Sequence, residues 1–182
     1  MNMKHLSHPL VWAGALVIAL GVAAAFYYAS RLDVPVPVSP DDAKPAPDFA
    51  LPDLTGKTVR LEDFRGKVVL LNLWTPGCEP CRDEIEALSR LQVDYRKKLA
   101  VAGVALNTTA QEAARFIEPL KATYPMLLAD EQFAKNYAAG KLPKSVLIDR
   151  HGRLRSLMAH PPKNLYDHFY AFVGPIVDEA DQ

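Results

Sequence analysis

Residues 68–81 are VVLLNLWTPGCEPC, an apolar run followed by both cysteines of the chain. The run Val68–Trp74 is apolar at nearly every position, which favours a central strand covered on both faces. Beyond the cysteines, apolar residues recur at helical spacing, at Ile85, Leu88, Leu91 and Tyr95. Cys78 and Cys81 therefore lie at a strand-to-helix junction, where a Cys-x-x-Cys motif supports thiol–disulfide exchange.

Two other roles for the cysteine pair were weighed. A structural disulfide would close a very short loop, which stabilises a fold by only about 2 kcal/mol, against roughly 4.7 kcal/mol for a 100-residue loop. A zinc site needs about four ligands. Beyond the N-terminal segment the chain offers only His151, His160 and His168, with no ligand spacing among them. We therefore expect a redox-active pair, with no metal and no cofactor.

The charge of the whole chain is balanced. Its 182 residues include 21 Lys plus Arg and 21 Asp plus Glu, so the formal net charge is zero. This balance gives no electrostatic reason to expect nucleic acid as a partner. An apolar fraction of 49% is ample for a hydrophobic core.

An uncharged apolar segment occupies residues 10–30. A helix of that length spans about 31 Å, roughly the thickness of a bilayer core. Lys4 precedes the segment and Arg31 follows it. This weak bias favours residues 1–9 in the cytoplasm and the body of the protein outside. We therefore expect a single transmembrane helix over residues 10–30, in the inner (cytoplasmic) membrane, with the catalytic domain on the periplasmic side.

A cleaved signal peptide is the alternative for this segment. The stretches Ala23-Ala24-Ala25 and Tyr28-Ala29-Ser30 offer small residues that could suit a signal peptidase. The apolar stretch is longer than a usual h-region and its charged n-region is thin, so an uncleaved anchor is preferred. In either case the cysteines would face an oxidising compartment, where a dedicated partner must keep a dithiol reduced.

A proline-rich linker is predicted over residues 31–47, which contain five prolines. As semi-rigid polyproline at about 3.1 Å per residue, it could hold the domain up to roughly 50 Å from the membrane. We expect a featureless tether. Residues 48–182 then form one domain by length.

Periodicity and turn signals predict the elements of that domain. A strand, a helix and a second strand in this order imply a right-handed parallel crossover. The predicted elements are hairpin strands at 49–51 and 58–60, a helical turn at 61–64, strands at 68–74 and 99–106, a helix at 110–123, a strand at 126–128, a helix at 131–139, hairpin strands at 145–149 and 154–158, and a terminal helix at 163–177.

This arrangement resembles the thioredoxin fold, an α/β fold with a central mixed sheet flanked by helices, here with an N-terminal hairpin extension. The finer resemblance is to the membrane-anchored TlpA/ResA-type thiol–disulfide oxidoreductases and their cytochrome c maturation relatives of CcmG/DsbE type. The first of three matching places is shared with peroxiredoxins. The places are Pro47-Asp48-Phe49 with Gly56 and residues 64–67, residues 71–84, and residues 142–149.

The resemblance implies that Cys78 is the exposed attacking thiol and Cys81 the buried resolving thiol. The physical expectation agrees, because free N–H groups and the dipole at a helix N-terminus favour a thiolate. Pro80 lacks a donor and fits the first helical turn. The resemblance also implies substrate-binding residues, namely Trp74, Leu142 and Pro143, with a cis peptide bond before Pro143 and the backbone of Leu142 pairing with the substrate. An ordinary trans proline at an edge strand is the alternative.

Glu84 lies three residues beyond Cys81, on the same side of the helix. In the family a glutamate there looks like a buried acid–base group that takes the proton as Cys81 becomes a nucleophile. A solvated carboxylate in the first helical turn is the alternative. Thioredoxins proper carry a buried aspartate six residues before the first cysteine. Asn72 stands at that place here, which leaves the proton-handling role open for Glu84.

Two departures from the family concern the rim of the site. The family usually has an aromatic residue immediately before the first cysteine, and this chain has Gly77. The lip of the site should therefore be smaller. His160 stands near the place of a usual small residue, where it either reaches the site or is an ordinary surface histidine.

We therefore expect an extracytoplasmic enzyme that reduces protein disulfides, with cytochrome c maturation as a plausible pathway and a membrane thiol reductase as its electron donor. One alternative is a peroxidase, because residues 75–78 resemble a peroxiredoxin signature, although Leu71 stands where that signature has proline. Another alternative is a non-catalytic module that only binds partners.

Overall fold

The computed structural model describes residues 14–23, 37–159 and 165–179. The chain divides into two units, Met1–Asp33 and Val34–Gln182. In the first unit, residues 14–23 are helical. Across the three described ranges, no helix has both the length and the apolar character needed to cross a bilayer. Most of the anchor predicted over residues 10–30 lies outside the described residues, and the anchor stays a prediction.

The second unit is built on a five-stranded mixed sheet. A separate antiparallel hairpin, β1 (Ala50–Pro52) and β2 (Thr58–Arg60), precedes it. The sheet contains β3 (Val68–Trp74), β4 (Leu99–Ala105), β5 (Met126–Leu128), β6 (Lys144–Ile148) and β7 (Leu154–Ala159). Its order is β5-β4-β3-β6-β7, with β3, β4 and β5 parallel and with β6 antiparallel to both β3 and β7. The predicted mixed sheet and its N-terminal hairpin are confirmed.

Helices cover both faces of the sheet. They are α1 (Glu79–Asp94), α2 (Ala110–Ile117), α3 (Glu131–Tyr137) and α4 (Leu165–Asp178). Alternate residues of β3 enter two different apolar clusters, because successive side chains of a strand point to opposite faces. One cluster contains side chains of α1, α2 and α4, and the other contains side chains of α3. Every residue of β3 is buried, as the apolar run predicted.

The predicted helix over residues 110–123 is too long. In the structure α2 ends at Ile117, and a short 3-10 turn, Glu118–Leu120, follows it. Pro119 has no N–H to continue the α-helical ladder, and Lys121 takes a left-handed conformation with φ of 48°. The helix predicted over 131–139 also ends early, at Tyr137.

The predicted linker over residues 31–47 also differs from the structure in its second half. The N–H of Val38 donates to the carbonyl of Arg155 at 2.7 Å, and the N–H of Ala46 donates to the carbonyl of Gly152 at 2.8 Å. The non-proline residues of the segment retain backbone donors, and these pair with the β6–β7 hairpin. This half of the segment is therefore part of the folded domain and not a free tether.

Candidate active site

The two cysteines lie at the N-terminus of α1 and are joined by a disulfide bond. Cys78 is the N-cap residue, and Pro80 lies in the first turn, where its missing N–H is not needed. Cys78 is partly exposed, whereas Cys81 is fully buried. The predicted difference in exposure between the two sulfurs is confirmed, and only Cys78 is open to an incoming disulfide.

Gly77 forms the lip of the site and is exposed. Its φ of 83° lies in the left-handed region, which strains residues that carry a Cβ. An aromatic residue at this position would adopt that backbone conformation only at a cost. The local turn therefore explains why the chain has a small residue here, and the small lip is confirmed.

Glu84 lies on α1 one turn beyond Cys81, and only 1% of its surface is exposed. Its Oε2 accepts a hydrogen bond from Nδ2 of Asn72 at 2.7 Å. Burial raises the pKa of Glu84 to about 8, against the opposing effect of the Asn72 hydrogen bond. The prediction of a buried carboxyl is confirmed, and the alternative of a solvated first-turn carboxylate is wrong. Its role in proton transfer stays a prediction.

Asn72, the hydrogen-bond partner of Glu84, has neighbours in register on both adjacent strands. Asn72 of β3 pairs in register with Gly103 of β4 and Ser145 of β6. Tyr124, just before β5, is also buried, and the charge of Glu84 adds to the burial that raises the pKa of its hydroxyl. Sequence reasoning missed Tyr124, because no periodic pattern or motif includes it.

The peptide bond between Leu142 and Pro143 is cis, as the resemblance implied. Pro143 is buried and Leu142 is half-buried. Strand β6 begins at the next residue, Lys144, which pairs with Leu73 near the end of β3. The proline and the dithiol therefore lie at the same edge of the sheet, and pairing of the Leu142 backbone with substrate stays a prediction.

The structure places Trp74 inside the domain, and its predicted role in substrate binding stays a prediction. The Trp74 side chain is fully buried and stacks on Phe116 of α2, with ring centroids 5.2 Å apart. The guanidinium of Arg82 lies 5.3 Å from the centre of the Phe116 ring. Trp74 therefore packs in the core at the end of β3. Sequence reasoning missed both the stack of Trp74 on Phe116 and the position of Arg82 over the Phe116 ring.

His160 lies outside the described residues, so its predicted place near the site stays a prediction. Within the described part of the chain, no group of three or more His, Cys, Asp or Glu side chains is arranged to hold a metal ion.

Comparison with known proteins gives one family and several relatives. The model of the AhpC/TSA family matches residues 43–157. Thioredoxin-like protein YneN of Bacillus subtilis (strain 168) is 35% identical over 121 residues, covering 64% of this chain and 70% of that protein. The thiol-disulfide oxidoreductase ResA of Geobacillus thermodenitrificans is 34% identical over 115 residues, covering 62% of this chain and 66% of that protein. The chain thus spans about two thirds of the length of these curated relatives.

Solved structures give the same result for the fold. The thioredoxin domain of a thiol-disulfide oxidoreductase from Bacteroides vulgatus superposes with a TM-score of 0.63 at 26% identity. This match covers 72% of the chain and 96% of that structure.

Proposed function

The chain belongs to the AhpC/TSA family as a thioredoxin-like thiol–disulfide oxidoreductase, and we propose that it reduces disulfides of protein substrates outside the cytoplasm. One observation carries the proposal. The two sulfurs form a disulfide at a helix N-terminus, with one sulfur accessible and the other buried one helical turn from a buried carboxyl. This asymmetry is what a two-step exchange needs.

In the first step the thiolate of Cys78 attacks one sulfur of the substrate disulfide. A new S–S bond forms between Cys78 and that sulfur, the substrate S–S bond breaks, and its other sulfur leaves as a thiolate. The N-terminus of α1 favours the attacking thiolate because unpaired N–H groups and the helix dipole stabilise negative charge there. The partly exposed position of Cys78 admits the substrate.

In the second step the buried Cys81 attacks the sulfur of Cys78 in the mixed disulfide. The bond between Cys78 and the substrate breaks, the second substrate thiolate leaves, and the Cys78–Cys81 disulfide forms. Two electrons have then moved from the dithiol to the substrate. Before this attack Cys81 must lose a proton, and Glu84 is the buried carboxyl one turn away on the same helix.

The pKa of Glu84 suits this transfer. At about 8 it lies close to the ordinary thiol value of about 8.5, which makes the Glu84 carboxylate a far stronger base than a carboxylate in water. General acid–base catalysis is most efficient when the pKa of the group lies near the working pH. An ordinary surface glutamate would be too weak a base for a thiol.

The cellular setting is part of the proposal. The apolar segment over residues 10–30 supports a membrane anchor with the dithiol domain on the outer side. There the disulfide must be reduced again by a donor, for which a membrane thiol reductase is the natural class. The resemblance to cytochrome c maturation proteins and the need of haem attachment for reduced cysteines make cytochrome c maturation the pathway that we propose.

The peroxidase alternative has less support. In a peroxiredoxin the threonine of the motif helps to place peroxide near the thiolate. Here Oγ1 of Thr75 donates its proton to the carbonyl of Leu106 at 3.1 Å. Cys78 also has its partner Cys81 in the adjacent turn. Both features favour disulfide exchange over peroxide reduction.

The reduction potential of the Cys78–Cys81 pair tests the direction of electron flow. We would equilibrate the full chain with glutathione or dithiothreitol buffers and quantify free thiols. A potential near or below about −230 mV supports a reductant, whereas a value near about −120 mV places the pair among strong oxidants and contradicts the proposal. Cys78→Ser should abolish reduction of a protein disulfide, and Cys81→Ser should accumulate the mixed disulfide.

A further inference from the structure

We propose that Asn72 is a positioning residue for Glu84, and that its amide serves the carboxyl group in both of its protonation states. The inference rests on the proposed function, because it deepens the part that Glu84 plays in the second step of the exchange. By this proposal, strand β3 positions the carboxyl of Glu84 in addition to forming the centre of the sheet.

The contact between Asn72 and Glu84 joins the central strand to the helix that carries the cysteines. Asn72 has no exposed surface, Glu84 has 1%, and Nδ2 of Asn72 lies 2.7 Å from Oε2 of Glu84. Leu70 and Trp74, two residues to either side of Asn72, belong to the cluster that packs against α1. Alternation along β3 places the Asn72 side chain on this same face. The strand therefore holds the carboxyl at a fixed distance from the sheet.

The two polar atoms of the Asn72 amide have different surroundings. Nδ2 donates to Glu84, which favours the ionised carboxylate. Oδ1 is buried and has no hydrogen-bond partner among the described residues. This oxygen is an acceptor beside the carboxyl of Glu84, and a neutral carboxylic acid has an O–H to donate. A flip of the amide about its Cβ–Cγ bond exchanges its donor for its acceptor, so each protonation state of Glu84 can have its own hydrogen bond.

Few other side chains could do this. An aspartate at position 72 would only accept when ionised, and a leucine of similar size would do neither. A buried polar group without a partner carries a large desolvation penalty, so a partner that suits one state alone would hold Glu84 in that state. The amide lets the carboxyl gain and lose a proton without leaving a buried group unsatisfied.

Other buried polar groups lie on the elements that pack against α1 and β3. From the segment before β5, Tyr124 contributes a buried hydroxyl that interacts electrostatically with Glu84. From β6, Ser145 contributes a buried hydroxyl in register with Asn72. On α1 itself Cys81 is held in the disulfide, and α4, which packs against α1, contributes the buried His168. Among these groups, Asn72 is the one whose side chain donates to Oε2 of Glu84 within the described part of the chain.

The test is a direct titration of Glu84 by carbon-13 NMR in the full, oxidised chain, with the signal assigned by its loss in Glu84→Gln. We expect Asn72→Leu to raise the titration midpoint of Glu84 by about one pH unit, because the charge-assisted hydrogen bond to the carboxylate is stronger than the bond that the neutral acid makes, and leucine removes both. Asn72→Asp should raise it further, since two adjacent buried carboxyls share one proton. Ser145→Ala, which changes a buried neighbour of Asn72, is the matched control and should leave the midpoint unchanged.

The kinetic readout is the pH profile of mixed-disulfide resolution. Asn72→Leu should move the rising limb of this profile by the same amount as the NMR midpoint, and it should have no further effect in a Glu84→Gln background. Unchanged midpoints in both Asn72→Leu and Asn72→Asp would overturn the proposal. If Asn72→Leu fails to fold, Asn72→Asp decides alone.

The role of Glu84 and the role of Asn72 can be refuted independently. If Glu84→Gln leaves the pH profile of resolution unchanged, the proposed role of Glu84 is wrong, whatever the Asn72 variants do. If Glu84→Gln removes the limb but the Asn72 variants leave it in place, the role of Glu84 stands and Asn72 is only a structural neighbour.

Discussion

Replacing Glu84 with glutamine should stabilise the oxidised protein at neutral pH and remove a pH-dependent part of its stability. Burial raises the pKa of Glu84 from 4.5 to about 8 in the folded state. In the unfolded chain the same carboxyl is in water and titrates near its ordinary value. Glutamine keeps an oxygen that can accept from Asn72, but it has no proton to lose.

The sign of the effect follows from the two pKa values. Below about pH 4.5 the carboxyl is neutral in both states and has no effect on stability. Between that pH and about 8 the unfolded chain ionises while the folded chain keeps its proton, so the free energy of unfolding falls as pH rises. The loss is about 1.4 kcal/mol per pH unit, hence roughly 3 kcal/mol at neutral pH, and it levels off above the folded pKa.

The assay is urea unfolding of the oxidised protein at several pH values between about 4 and 9, which bracket the transition. The difference in stability between Glu84→Gln and the wild type should grow with pH and then reach a plateau. Glu86→Gln is a matched control, because Glu86 is exposed on the same helix. If the stability difference between Glu84→Gln and the wild type is the same at the lowest and the highest pH, the reasoning is refuted.

Three further substitutions test other parts of the structure. Arg155→Met should lower the free energy of unfolding by about 3 kcal/mol in urea titrations, because buried Arg155 bonds both Glu179 and the carbonyl of Val38. Gly77→Ala should cost about 1 kcal/mol by the same measurement, because a φ of 83° is strained for alanine. Phe116→Ala should lower stability by up to about 3 kcal/mol and shift tryptophan emission, because the stacked Trp ring loses its cover.

The central part of the fold could be predicted from sequence because its signals are local. The apolar run over residues 68–74 gave β3 with its exact bounds, and helical spacing after the cysteines gave the buried face of α1. Local signals do not predict the cis bond before Pro143, because that bond depends on tertiary context. Only the resemblance to a family implied it.

What the sequence did not indicate depends on contacts between distant residues. The bond between Asn72 and Glu84 joins positions 12 residues apart, and the ring stack of Trp74 on Phe116 joins two separate elements. The contact of Val38 with Arg155 joins residues 117 apart. Periodicity reports which face of an element is apolar, but it does not report which partner covers that face.

The stability cost of Glu84 is itself an argument for its chemical role. A glutamine at this position would keep a hydrogen bond with Asn72 and would avoid the penalty that burial imposes on an ionisable group. What a glutamate adds at this place is an exchangeable proton, held one helical turn from the buried sulfur of Cys81. A group that destabilises the oxidised fold at neutral pH, and that differs from its neutral counterpart chiefly in that proton, is best explained by a reaction that moves the proton.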